Sequence, residues 1–264
     1  MIYEALRDAI KAEQPVALAT IIEGPTGTLL GGKLLVRPGV EPLGTLGHPE
    51  LDRVVARDAE GELVSGLTST RHYGTHGEAR REEGVAVFIE SFSPPPRMVI
   101  FGAVDFTAAL VRAAKLLGYR VIVCDARPVF ATKQRFMLAD EVVNDWPDRY
   151  LAANGAALGP LDAVCVLTHD PKFDVPAIQS AVLTNVGYLG AMGSRKTTET
   201  RNERLREVGL SEADIDRVMG PIGIDIGART PEETAIAIVA EIIAMRTGKL
   251  VASLRDADGP IHRR

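Results

Sequence analysis

Three consecutive prolines, Pro94-Pro95-Pro96, divide the chain into two stretches that read differently. A proline run fixes one backbone dihedral at each position and removes the amide donors, so neither a helix nor a central strand continues through it. Beyond it, short apolar runs alternate with amphipathic segments. Strand patterns at 99–102, 120–124, 141–143, 163–167 and 187–192 are interleaved with helical patterns over about 106–117, 174–183 and 195–208. Strands separated by helices pair in parallel, with the helices crossing over the sheet. The expected fold is α/β, a Rossmann-like doubly wound parallel sheet spanning 98–249.

Residues 1–92 read as a smaller α+β domain, joined to the sheet by a linker at 93–97. A helix is expected over about 3–12, strands near 16–22 and 33–36, a helix near 50–59, and strands near 67–72 and 85–90. The polar stretch 250–264 reads as a frayed tail. With 264 residues and 46% hydrophobic composition, both parts have enough apolar material for a core. A net charge of −5 provides no basic face for nucleic acid. No apolar run reaches membrane-spanning length, and the opening residues pattern as an amphipathic helix, not a secretory signal, so a soluble cytoplasmic protein is expected. Cys124 and Cys165 both fall within strand patterns and read as small core hydrophobes, not as a disulfide or metal pair.

The stretch 221–233, Pro-Ile-Gly-Ile-Asp-Ile-Gly-Ala-Arg-Thr-Pro-Glu-Glu, is dense in residues with separate mechanical uses. Gly223 and Gly227 permit backbone conformations closed to other residues. Asp225 and Arg229 put opposite charges in one compact loop. Thr230 reads as an N-cap, Pro231 as the first helical residue, and Glu233 as the partner completing a capping box. Ala235, Ile238, Val239, Ile242 and Ile243 then form an apolar stripe at helical spacing. The loop is either a well-made structural turn or a mount for polar groups; pattern alone does not separate the two.

A strand running into Gly102 and Ala103, a helix, and Asp125 at the end of the next strand have the outline of a dinucleotide-binding unit. The full fingerprint needs glycines two and five places after the first, where this chain has Val104 and Thr107. A side chain at 104 obstructs the close approach of a pyrophosphate. Asp105 places a negative charge at the start of the helix, where a phosphate would sit. NAD(P) is therefore disfavoured at this loop. Arg127 either neutralises a phosphate or pairs with Asp125 or Asp140.

Ligands of open parallel sheets bind outside the carboxyl ends of the strands. Thr168, His169 and Asp170 follow one strand pattern, and Gly193, Ser194, Arg195 and Lys196 follow another and open a helix. Free amides at a helix start, with two cations beside them, suit an anion. Arg195 and Lys196 can equally be a solvated helix end, and His169 a structural histidine. The candidate binding set is Gly102, Ala103, Asp125, Arg127, Thr168, His169, Asp170, Gly193, Ser194, Arg195, Lys196 and Asp225. His72 and His76 are spaced as a helical metal pair, but Gly74 and Thr75 between them argue against a helix, so no metal site is assigned.

Taken in order, these motifs resemble the xanthine dehydrogenase accessory protein family (XdhC/CoxI) over roughly 97–247. The resemblance is weaker over 1–92. At the Gly102 loop the family usually reads Gly-Ala-Gly-His, from which Val104 and Asp105 depart. At 44–52 it often reads Gly-Ser-Val-Ser-Gly-Gly-Cys-Val-Glu, where this chain has Glu50 in place of the cysteine. A Cys-Gly-Gly element seen in many members is absent, with 76–81 standing in its place. The resemblance implies a non-catalytic carrier of molybdenum cofactor that supports its sulfuration and its insertion into a molybdenum hydroxylase apoenzyme. It also implies a homodimer and a cysteine desulfurase as a further partner. Two other readings compete: a nicotinamide- or nucleotide-dependent oxidoreductase using the same crevice, and a degenerate member acting only through partner binding.

Overall fold

A computed structural model of the chain describes residues 1–78, 84–249 and 251. The expected tail at 250–264 lies, apart from 251, outside the described residues. The chain divides into two compact units between Pro94 and Pro95, within the proline run.

The first unit runs α1 (Ile2–Lys11), β1 (Val16–Glu23), β2 (Lys33–Arg37), β3 (Val40–Thr45), α2 (Pro49–Ser65), β4 (Ser69–Tyr73) and β5 (Val85–Phe92). Its sheet is antiparallel in the order β3-β2-β1-β5-β4. Period-two alternation sends Ala17, Ala19, Ile21, Leu34, Val36, Val87 and Ile89 to one face, against Leu51, Val55, Ala59 and Leu63 of α2. Val16, Leu18 and Leu35 face the other way and meet Ala9 of α1. Strand β3 was not expected from sequence. It has no buried residue, and an exposed strand carries no apolar alternation to read. Helix α2 runs past the expected end at 59 until Gly66, left-handed at φ 65°, stops it.

The second unit runs β6 (Arg97–Phe101), α3 (Asp105–Leu116), β7 (Arg120–Cys124), β8 (Glu141–Val143), α4 (Pro147–Asn154), β9 (Ala163–Val166), α5 (Pro171–Ala181), β10 (Tyr188–Ala191), α6 (Arg195–Glu207), α7 (Glu212–Asp216), β11 (Val218–Met219) and α8 (Pro231–Thr247). Every pairing is parallel, in the order β11-β10-β9-β6-β7-β8. Sequence order thus reverses between β6 and β9, which makes that gap the switch point of a doubly wound sheet.

Successive residues of each strand feed opposite cores. Met98, Ile100, Val121, Val123 and Cys165 pack under α3 and α8, while Val99, Phe101, Ile122, Cys124 and Val164 pack under α4, α5 and α6. The two cysteines are free, buried and on opposite faces. The apolar stripe of α8 needs one correction. Ile243 is 36% exposed, and Ala237 takes its place in the buried set. Among the described residues no helix is long and apolar enough to cross a membrane.

Candidate functional site

The turn from β6 into α3 packs directly on the end of β9. Gly102 adopts φ +109°, and a Cβ there would lie 2.7 Å from Thr168 Cγ2 and 3.0 Å from the Thr168 amide nitrogen. Only glycine lets the two backbones meet across the switch point. The turn then satisfies its own polar groups. Thr107, fully buried, donates its hydroxyl to the Gly102 carbonyl and accepts the Val104 N–H at 3.3 Å. Thr107 occupies the third fingerprint place, so the side chain there binds the loop rather than leaving room for a ligand. Asp105 projects into solvent, 3.8 Å from Arg135.

Asp125 is 3% exposed at the end of β7 and is fully engaged. Oδ2 accepts the Ala103 N–H at 2.7 Å and Arg127 Nη2 at 2.7 Å; Oδ1 accepts the Arg127 amide and Nε, each at 2.9 Å. Burial pushes the carboxyl up, but the Arg127 guanidinium and the two amides outweigh it and hold it below the usual range. Arg127 also lies over the rings of Phe130 and Phe173, at 4.7 and 5.5 Å. Asp140, the other acid considered for Arg127, instead pairs with Lys115 at 2.8 Å.

At the end of β9, Thr168 turns inward and donates to Asp174 of α5. Burial raises Asp174 to about 6, against the downward pull of the Thr168 hydroxyl, Arg201 and His169, with Asp170 adding to the rise. His169 is exposed. Asp170, also exposed, caps α5 by accepting the Lys172 N–H at 3.0 Å, which starts that helix three residues earlier than its apolar pattern indicates.

At the end of β10, Gly193 leads to Ser194, the N-cap of α6, whose hydroxyl accepts the Thr197 N–H at 3.1 Å. The amides of Arg195 and Lys196, at the first two helical positions, have no partner within the helix. Both side chains are exposed, with no ion pair among the described residues. Beneath this turn lies Arg201, which the sequence reading missed. It is 4% exposed and donates to the carbonyls of Met192 at 2.8 Å and Ala191 at 3.5 Å. The available signal was Leu205, four residues on, which marks the buried face of an otherwise charged helix.

The loop 221–230 starts at the same end of β10. The Ile222 N–H donates to the Ala191 carbonyl at 3.1 Å, and the Ile224 N–H to Ala237 of α8 at 3.3 Å. Glu241 of α8 accepts both the Gly223 N–H at 2.9 Å and the Tyr188 hydroxyl at 2.5 Å on one oxygen. Thr230 and Glu233 form the expected capping box, and Glu233 also accepts the Arg229 N–H. Asp225 is exposed and accepts the Gly227 N–H at 3.4 Å. Among the described residues it bonds neither His169 nor Ser194 and makes no ion pair with Arg229. The carboxyl ends of β9 and β10 therefore hold two adjacent polar turns, while the end of β7 is closed by its own salt bridge.

In the first unit, the His48 and His76 rings meet edge to face at 4.3 Å, with His48 capping α2. His72 lies on β4, so it does not share a helix with His76. The described residues contain no group of three or more metal-ligating side chains.

Residues 98–242 match the family described as the XdhC Rossmann domain, and residues 9–74 match the XdhC and CoxI family. A Bacillus subtilis protein described as a probable xanthine dehydrogenase component is 34% identical over 61% of this chain and 46% of its own length. The molybdenum cofactor insertion chaperone PaoD from Escherichia coli is 32% identical over 38% of this chain and 31% of its own. The Escherichia coli protein YqeB is 27% identical over 90% of this chain and 46% of its own. The chain thus spans less than half the length of these relatives. A crystal structure described as a xanthine dehydrogenase, from Bacillus halodurans, superposes with a TM-score of 0.53 over 96% of this chain and 97% of that one. At 22% identity, that likeness concerns the fold alone.

Proposed function

Because the chain belongs to the XdhC and CoxI family, we propose that it is an accessory factor that carries molybdenum cofactor to a xanthine-dehydrogenase-type molybdoenzyme. The cofactor is cargo in this reading, and the polar turns after β9 and β10 hold it. The observation that carries the reading is the start of α6, where two amides without an intrahelical partner, an N-terminal helix dipole and Arg195 and Lys196, unpaired among the described residues, come together. The cargo's phosphate fits that chemistry. The exposed imidazole of His169 and the carboxylates of Asp170 and Asp225 fit the pterin, whose ring and amino N–H groups need acceptors.

The nucleotide reading fares worse against the same geometry. Asp125, the acid that would meet a ribose hydroxyl, has both oxygens occupied by Arg127 and backbone amides. Val104 and Thr107 fill the fingerprint places.

Sulfuration of the cargo, if it occurs on this chain, needs an outside sulfur donor such as a cysteine desulfurase. Burial pushes the Cys124 thiol up to about 12 and Cys165 higher still, and neither reaches solvent. The reading also includes a homodimer, which light scattering on the purified chain would test.

The decisive experiment loads the chain anaerobically with released molybdenum cofactor, measures what survives gel filtration, and follows activation of an apo molybdenum hydroxylase. Replacing Arg195 and Lys196 together by alanine removes two charge-assisted contacts, so retention should fall tenfold or more. Unchanged retention would place the cargo elsewhere.

A further inference from the structure

Arg201 is a cation stored beneath the turn read above as an anion site. Its guanidinium bonds the Met192 and Ala191 carbonyls and Thr198 Oγ1, and among the described residues its Nε has no partner. Gly220 lets backbone lie directly on it, and Gly193 packs in ordinary contact beside it. A Cβ at Gly193 would come within 3.6 Å of Nη1, and one at Gly220 within 2.7 Å of Nη2. A buried guanidinium normally faces a carboxylate, because an uncompensated interior charge is costly. Among the described residues no carboxylate lies within ion-pair distance of Arg201. The acid whose field reaches it is Asp174, buried and tied to Thr168. Asp174 and Arg201 therefore lie as a separated pair under the two turns that form the candidate site.

We propose that Arg201 is the buried positioning cation of the Gly193–Lys196 anion site, and that Asp174 tunes it, so that anion binding is coupled to uptake of a proton by Asp174. The proposal rests on the reading of that turn as an anion site. Ionised Asp174 offsets part of the field of Arg201, and protonated Asp174 leaves that field to act on the bound anion. Conversely, an anion at the turn disfavours a second negative charge beneath it. The two effects are one coupling seen from either side. The groups facing Asp174 are Thr168, His169 and Asp170 from the end of β9 and the start of α5, and Arg201 from α6. Burial sets its titration at about 6, so the coupling operates between mildly acidic and neutral pH. A carrier gains from this a route to release: its grip on an anionic cargo weakens when Asp174 gives up its proton.

The test titrates inorganic sulfate, whose charge is constant in this window, into the full chain at pH 5.5 and 7.5 by calorimetry. Wild type should bind about fivefold or more tightly at the lower pH. Asp174→Asn, which is isosteric, should bind tightly with little pH dependence, and Arg201→Gln weakly with little pH dependence. If Arg195→Ala with Lys196→Ala binds sulfate as wild type does, the turn is not the anion site and both readings fall. If that double variant loses sulfate while Asp174→Asn keeps the wild-type slope, the site stands and the coupling is overturned. Should Arg201→Gln fail to fold, Asp174→Asn decides alone.

Discussion

Asp125 and Arg127 join through two parallel hydrogen bonds, Nε to Oδ1 at 2.9 Å and Nη2 to Oδ2 at 2.7 Å, and this pair closes the half of the sheet where a dinucleotide would lie. A Rossmann-type crevice has two halves around its switch point. Here the β7 half is filled by a salt bridge and the aromatic rings beside it, while the β10 half exposes Arg195 and Lys196, which form no ion pair among the described residues.

The nicotinamide cofactors should therefore bind poorly. Calorimetry with NAD, NADH, NADP and NADPH is expected to show no constant tighter than roughly millimolar. Val104→Gly with Asp105→His should improve binding of phosphate-bearing ligands only modestly, because Thr107 still closes the loop onto Gly102 and Asp125 stays occupied. A micromolar constant for wild type would restore the oxidoreductase reading.

The same pair sets an acid limit on stability. Arg127 and two amides hold Asp125 below the usual carboxylate range. The unfolded chain thus takes up this proton at higher pH than the folded one. The stabilisation is complete above about pH 4, the ordinary carboxyl range, and is lost as pH falls through the folded value. Arg127→Ala should cost about 1–3 kcal/mol at neutral pH, since Asp125 stays buried with only amide donors and Arg127 itself is half-exposed. Its acid unfolding midpoint should move upward, which circular dichroism across pH 2–6 would show.

Gly102→Ala probes the contact across the switch point. The added methyl group would press on the Thr168 backbone at 3.0 Å, in a conformation that L residues rarely adopt. Strain of this kind costs on the order of 1–3 kcal/mol. A urea midpoint equal to that of wild type would show that the two turns are free to move apart.

The second unit was largely legible in the chain because its four central strands, β10, β9, β6 and β7, are buried on both faces and read as apolar runs. Buried runs such as Met98–Phe101 and Val121–Cys124 leave little choice of assignment. The pattern failed where burial is slight or polar. Strand β3 has no buried residue, and α4 offers a single buried leucine after its opening proline. At the site, the turns were visible as motifs, but the direction of each side chain was not. Thr168 follows its strand as a binding residue would, yet it turns inward because Asp174 is buried six residues later. Arg201 lies among Thr200, Asn202 and Glu203, and only the folded helix shows that its guanidinium is inside.

Two acids, Glu241 of α8 and Asp225 of the loop it holds, should separate structure from function. Glu241 holds the loop: one of its oxygens takes both the Gly223 amide and the Tyr188 hydroxyl. Glu241→Ala leaves that buried hydroxyl without an acceptor, at a cost of about 1–3 kcal/mol, and should lower the melting temperature. Among the described residues Asp225 makes a single long hydrogen bond, to Gly227, and it is exposed, so Asp225→Asn should stay within about 0.5 kcal/mol of wild type. In the proposed site its carboxylate is the acceptor offered to the pterin, and turning half of it into a donor would mismatch the pair. Cofactor retention should then fall in Asp225→Asn with the melting temperature unchanged. If Asp225→Asn melts early and retains cofactor, the acid is part of the turn and the pterin lies elsewhere.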